Sequence, residues 1–197
     1  MGRIWHVTAV TLLLLVTLSA GSAAERREWI ALTDCRYVAA KDNDGDSFLV
    51  RCDAKEFIVR LYFVDAPETN LRYPERTREQ SEYFGVTLDE TMKAGAKARE
   101  TVQTMLREPF VVETRWANAP SRGSDTRHYA LVEVGGKRLV EVLVSKGLAR
   151  LKGVFPNLST GEKAKAYAEK LGRLEREARQ KRLGVWASSA AKITETP

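Results

Sequence analysis

The stretch EFIVRLYFVDAPET, residues 56–69, decides how this chain is read. From Glu56 to Val64 it is almost uninterrupted apolar sequence, Phe57, Ile58, Val59, Leu61, Tyr62, Phe63 and Val64, which is the signature of a strand covered on both faces. Arg60 stands inside that run, and Asp65, Pro67 and Glu68 close it. Upstream, Trp29–Val38 and Ser47–Cys52 read as two more strands, joined by turn chemistry in Lys41-Asp42-Asn43-Asp44-Gly45-Asp46. Downstream, Tyr73–Gly85 is polar and charged and reads as an elaborated surface loop with one or two helical turns.

Met92–Arg107 carries Ala94, Ala98, Thr101, Val102, Met105 and Leu106 at helical spacing and stops before Pro109. Phe110–Trp116 and Tyr129–Val134 are further strands around a polar loop, and Leu139–Lys146 is a short helix closed by Gly147. A Ser159-x-x-Glu162 capping box predicts a last helix to Arg182, with Ala164, Ala168, Leu171, Leu174 and Ala178 as its apolar stripe. Three strands, a helix and two strands follow the order of an OB-fold. The expected fold is therefore α+β, a five-stranded OB-fold β-barrel with about three α-helices.

Of the 197 residues, 44% are hydrophobic and 29% charged, enough apolar material for one core and incompatible with disorder along the whole length. The formal charge of +6 points to a polyanionic partner, weakly when taken alone. Residues 1–24 read as a secretory signal: Arg3, an apolar run from Val7 to Leu18, and small residues Ser22, Ala23 and Ala24 before Glu25. That run is short for a membrane span, and a retained anchor is the alternative. Residues 25–187 are expected to form one domain and 188–197 a frayed tail.

Two cysteines, Cys35 and Cys52, are placed symmetrically about the Asp/Gly turn, which sets them face to face across a hairpin. An exported chain would bridge them; buried free thiols are the alternative.

Pairing of the second strand with the third, centred at about 55.5, would bring Asp46 and Asp65 side by side, with Glu68 just beyond. Three clustered carboxylates repel one another unless a cation neutralises them. His128 is the one histidine after the leader, so His/Cys zinc sites and His-dependent triads are excluded there. Hard cations with oxygen ligands remain, Ca²⁺ ahead of Mg²⁺ or Mn²⁺. Spacing alone favours a plain Asp/Gly hairpin turn over a metal site.

Asp44-Gly-Asp46-Ser, then Arg60-x4-Asp65-Ala-Pro-Glu68-Thr, then Arg127 ahead of Tyr129-Ala130, resemble the staphylococcal nuclease (thermonuclease) family. The resemblance runs from about Val38 to Trp186, with extra sequence around Arg72–Asp89 and after Gly153. It implies a calcium-dependent nuclease that hydrolyses phosphodiesters of DNA or RNA on an OB-fold. With the leader, the chain is expected to be exported to the periplasm or outside the cell and to act as a monomer. The resemblance also implies residue roles. Asp46 and Asp65 would ligate Ca²⁺ with their side chains and Ala66 with its backbone carbonyl, while Asp44 would act from the outer shell. Glu68 would orient or deprotonate the attacking water, and Arg60 and Arg127 would grip phosphate oxygens.

Planar guanidinium forks suit that task because they match phosphate bidentately. Read from strand position alone, Arg60 also fits an ion pair within the barrel and Arg127 a solvated edge charge, and Arg122 is a second candidate for the grip. The family's lysine and tyrosine before the second arginine are Ser124 and Asp125 here, and its stacking tyrosine aligns near Gly153, with Phe155 the nearest aromatic. Substrate preference and endo or exo mode stay open. A non-catalytic OB-type nucleic-acid-binding module is the alternative function. Finally, Arg60 and Asp65 differ by five positions, so the strand must end or bulge before Asp65 for both to face one site.

Overall fold

The computed structural model describes residues 28–121 and 125–189. The expected signal at 1–24 and most of the tail, like Arg122 and Ser124, lie outside the described residues. The chain opens with β1 (Ile30–Tyr37), β2 (Ser47–Cys52) and β3 (Lys55–Leu61), an antiparallel meander in which the interior residues Phe48, Val50, Val59 and Leu61 are fully buried. Its second hairpin turns on Asp53 and Ala54, with Asp53 in the left-handed region that Asp tolerates better than most residues.

That turn corrects the expected register. Ser47 pairs with Arg60, and the amide of Leu61 donates to the Asp46 carbonyl, so the two aspartates are not cross-strand partners. The tight turn at Asp53-Ala54 sets the centre two residues earlier than expected, and the apolar run is not one strand. It breaks at Tyr62 and Phe63, with Phe63 left-handed at φ 69°, and resumes as β4 (Val64–Asp65). The break is the strand end that the five-residue spacing of Arg60 and Asp65 demanded.

After β4 come α1 (Pro74–Phe84) and α2 (Leu88–Met105). α1 is a full helix where a loop with one or two turns was expected; Pro74 opens it and left-handed Gly85 ends it. Its inward face is Thr77, Gln80, Ser81 and Phe84, three polar residues and one aromatic, so it carries no apolar period. α2 begins four residues before Met92 because Thr87 and Glu90 form a reciprocal capping box.

Then β5 (Phe110–Ala119), β6 (Arg127–Val134) and the short β7 (Lys137–Arg138) follow, with α3 (Leu139–Ser145), β8 (Arg150–Leu151) and α4 (Ala164–Gln180) behind them. α4 starts later than the Ser159-x-x-Glu162 pattern predicts: the Ser159 hydroxyl donates instead to Glu113, and Asn157 Oδ1 accepts from the amide of Ala164 at 3.0 Å. A single 3₁₀ turn (Gly184–Ala187) buries Val185 and Trp186.

β5 pairs with β1 and with β6, and β6 returns to pair in parallel with β3, setting Ile58 opposite Arg127 and Arg60 opposite Tyr129. Five long strands thereby close into a ring around the core, an OB-like α+β fold with four α-helices among the described residues. Cys35 and Cys52 are disulfide-bonded across β1 and β2, as their symmetry about the turn anticipated.

Candidate active site

The site lies where β3 ends. Arg60 points outward from the ring and forms ion pairs with Asp46, from the turn before β2, and with Asp65 Oδ1 at 3.2 Å. Asp46 reaches across with its other oxygen, Oδ2, which accepts from the amide of Ala66 at 2.6 Å. The two aspartates thus share one arginine, although they do not pair as strand neighbours. Asp44 folds back on its own turn, where its Oδ1 accepts from the amides of Asp46 and Ser47 at 2.9 and 2.6 Å. That Asx-type arrangement shapes the Asp-Gly-Asp loop. Arg127, on β6, donates to Ser47 Oγ and to the Pro120 carbonyl. It stands beside the same turn and close enough to Arg60 and Asp44 to act on their charge.

Helix α2 forms the floor of this arrangement. An ideal Cβ on Gly45 would lie 2.6 Å from Ala98 Cβ and 2.8 Å from Ala66 Cβ. One on Gly95 would lie 2.4 and 2.5 Å from the carbonyl oxygens of Pro67 and Glu68. Both carboxylate-bearing loops therefore rest on one small-residue stripe of α2, at contact distances a methyl group would prevent.

Helix α1 supplies the residues that sequence reading missed. Arg76, Glu79 and Gln80 lie at spacings that share a helical face. Gln80 Nε2 donates to Asp65 Oδ2 at 3.0 Å and to the Ala66 carbonyl at 2.9 Å, while its Oε1 accepts from the amide of Glu68 at 2.7 Å. Arg76 pairs with Glu68 through Nε and with Asp65 Oδ1 through Nη2 at 2.5 Å. From β8, Arg150 forks onto Asp65 Oδ2 at 3.0 and 2.9 Å and spans to Glu79, which also holds Lys152 at 3.0 Å. Arg150 is 1% exposed. No motif announced these groups, because a polar helix face and a lone arginine in a short strand carry no periodic signal.

The carboxylates are therefore balanced by guanidinium groups, which answers the repulsion that the sequence raised. Burial pushes the Asp65 carboxyl up, but Arg76, Arg60, the Gln80 hydrogen bond and Arg150 outweigh it and hold the group below its ordinary range. For Glu68 the balance reverses: burial raises its pKa more than Arg76 lowers it. Asp44 is pushed up to about 6 by burial against the pull of Arg60.

One departure from the family's pattern has a structural reason. Gly153 sits at φ 114°, a conformation that L side chains rarely adopt, so a tyrosine there would be strained. Phe155 stands nearby, 39% exposed and edge-on to Phe63. Asp125 is exposed next to Arg127's strand.

An OB-like ring thus brings carboxylates and arginines together at the end of one strand. Residues 58–188, about two thirds of the chain, match the family model described as staphylococcal nuclease homologue, and the chain belongs to that family. Among curated proteins none matches it. The family consists generally of nucleases and is typically metal-dependent, so the chain is nuclease-like and nucleic acid is the substrate class its membership implies.

Proposed function

We propose that this protein is an exported, calcium-dependent nuclease that hydrolyses phosphodiester bonds of DNA or RNA by attack of water. The observation that carries the reading is the meeting of Glu68, Asp46, Asp65 and Arg60 within one connected set of contacts, with Arg127 beside it. Mere binding of nucleic acid has no need of a carboxylate with a raised pKa next to phosphate grips.

Asp46 and Asp65 both meet Arg60, and these two carboxylates with the Ala66 carbonyl offer oxygen donors of the kind a hard cation takes. Asp46 and Asp65 would hold Ca²⁺, with Asp44 behind them; the Ala66 carbonyl, which accepts from Gln80, keeps a second lone pair for the same role. Bound there, the ion supplies charge neutralisation to the phosphodiester. Glu68 orients a water and takes its proton. Arg60 and Arg127 hold nonbridging oxygens with planar forks whose hold strengthens as charge builds at phosphorus.

The disulfide supports export, since such bridges persist outside the reducing cytosol. Cleavage of residues 1–24 would leave Glu25 as the mature N-terminus of a single domain reaching to about residue 187, active as a monomer.

The decisive experiment incubates the purified mature protein with plasmid and with single-stranded DNA, in Ca²⁺ and in excess chelator. Cleavage that needs Ca²⁺, lost in Asp46→Ala and Asp65→Ala, is the expected result. Full activity in chelator overturns the metal reading. Salt-sensitive binding without cleavage makes the chain a non-catalytic binding module instead.

A further inference from the structure

Asp65 is crowded with donors. Its Oδ1 receives Arg60 and Arg76, and its Oδ2 receives Gln80 and two nitrogens of Arg150. A carboxylate offers about four lone-pair positions, so every one is taken by the protein itself. A cation that takes Asp65 as a ligand must displace one of these donors.

In the absence of a phosphodiester, three of them are held by further partners. The Arg60 side chain is 11% exposed and pinned on its other side by Asp46. Arg150 is buried, clamped by Glu79 and covered by the Tyr83 ring at 4.9 Å. Gln80 is fully buried and bonded at three points. Arg76 differs: its side chain is 34% exposed, it springs from the first turn of α1, and its second partner is Glu68, itself at the mouth of the site.

We propose that Arg76 is the exchangeable counter-ion of this site. Its guanidinium neutralises Asp65 and Glu68 in the resting protein and swings out when a divalent cation enters, so it weakens the apparent affinity for that cation. The inference rests on the cation reading of Asp46 and Asp65 given above. Affinity falls by the fraction of molecules whose site is already vacated, and a site in which Arg76 is out one time in ten binds about tenfold more weakly than one lacking it.

The test is calorimetric titration of the mature, disulfide-bonded protein with Ca²⁺ alone, without substrate. Arg76→Gln is expected to bind Ca²⁺ about tenfold more tightly than the unmodified protein. Arg76→Lys, whose point charge reaches one carboxylate but not two, should fall between them. Arg72→Gln, which removes the same charge from the exposed Arg72–Asp42 pair in the preceding loop, should leave the affinity within about twofold, since exposed charges are screened. Circular dichroism of each variant confirms an intact fold.

Equal or weaker binding by Arg76→Gln overturns the role given to Arg76, and so does equal tightening by Arg72→Gln. Asp46→Asn separates the two readings. If it abolishes Ca²⁺ binding while Arg76→Gln gains nothing, the cation site stands and the counter-ion fails. If Asp46→Asn binds as well as the unmodified protein, the cation site itself is wrong and the counter-ion falls with it.

Discussion

The Cα of Gly95 approaches the backbone of Pro67 so closely that an added Cβ would stand 2.4 Å from the Pro67 carbonyl oxygen. Within a helix, alanine ordinarily outdoes glycine by about 1 kcal/mol. Here the sign reverses. Gly95→Ala should lower the thermal midpoint rather than raise it, and by shifting the segment that carries Glu68 it should cut nuclease turnover by more than about tenfold. A melting scan and an initial-rate assay on one preparation check both halves of the statement.

In the proposed mechanism Glu68 acts on the nucleophile and not on the charge of the substrate. Glu68→Gln is therefore expected to lose roughly 10²- to 10⁴-fold in turnover with little change in affinity for nucleic acid. Fluorescence anisotropy with a labelled oligonucleotide, set beside single-turnover rates, separates the two.

Arg60→Lys and Arg127→Lys each replace a fork with a point charge, and both should be severe at saturating substrate. Arg122, from the segment outside the described residues, is the control. A silent Arg127→Lys together with a damaging Arg122→Lys would move the second phosphate grip to Arg122.

Arg150 binds two acids from a buried position, whereas Lys152 meets Glu79 in the open. Arg150→Met leaves Asp65 short of two donors and should cost about 3 kcal/mol of stability. Lys152→Met should cost under about 1 kcal/mol. Urea unfolding of the two variants gives the comparison directly, and equal losses would contradict the weight placed on burial.

The bridge between Cys35 and Cys52 closes a loop of short length, worth on the order of 3 kcal/mol by chain entropy. The unreduced native protein should show no alkylatable thiol by mass spectrometry. Cys35→Ala/Cys52→Ala should melt earlier while still cutting nucleic acid at room temperature, because neither sulfur touches the site.

Local chemistry was legible wherever one short stretch carried all the information. The cysteines were paired by their symmetry about one turn, and the end of β3 followed from the five-residue spacing of Arg60 and Asp65. The register of β2 with β3 was not legible, because the tight turn at Asp53-Ala54 sets it, and an apolar run looks the same whether or not Phe63 turns left-handed within it. Helix α1 escaped for a different reason. Its buried face is Thr77, Gln80 and Ser81, satisfied by hydrogen bonds rather than by apolar packing, and periodicity in hydrophobicity cannot register such a face. The same blindness hid Arg76 and Arg150: family motifs pointed to Arg60, Glu68 and Arg127, while the groups that orient them come from sequence the motifs do not cover.

The parallel pairing of β3 with β6 has a temporal meaning. It joins segments far apart in the chain, and such contacts form late because the entropy of closing the intervening loop must be met first. The same pairing sets Arg127 beside the strand that carries Arg60. A chain whose ring is still open holds Arg60 and Arg127 apart. On the proposed nuclease reading, the two arginines face one substrate only once β6 has docked on β3.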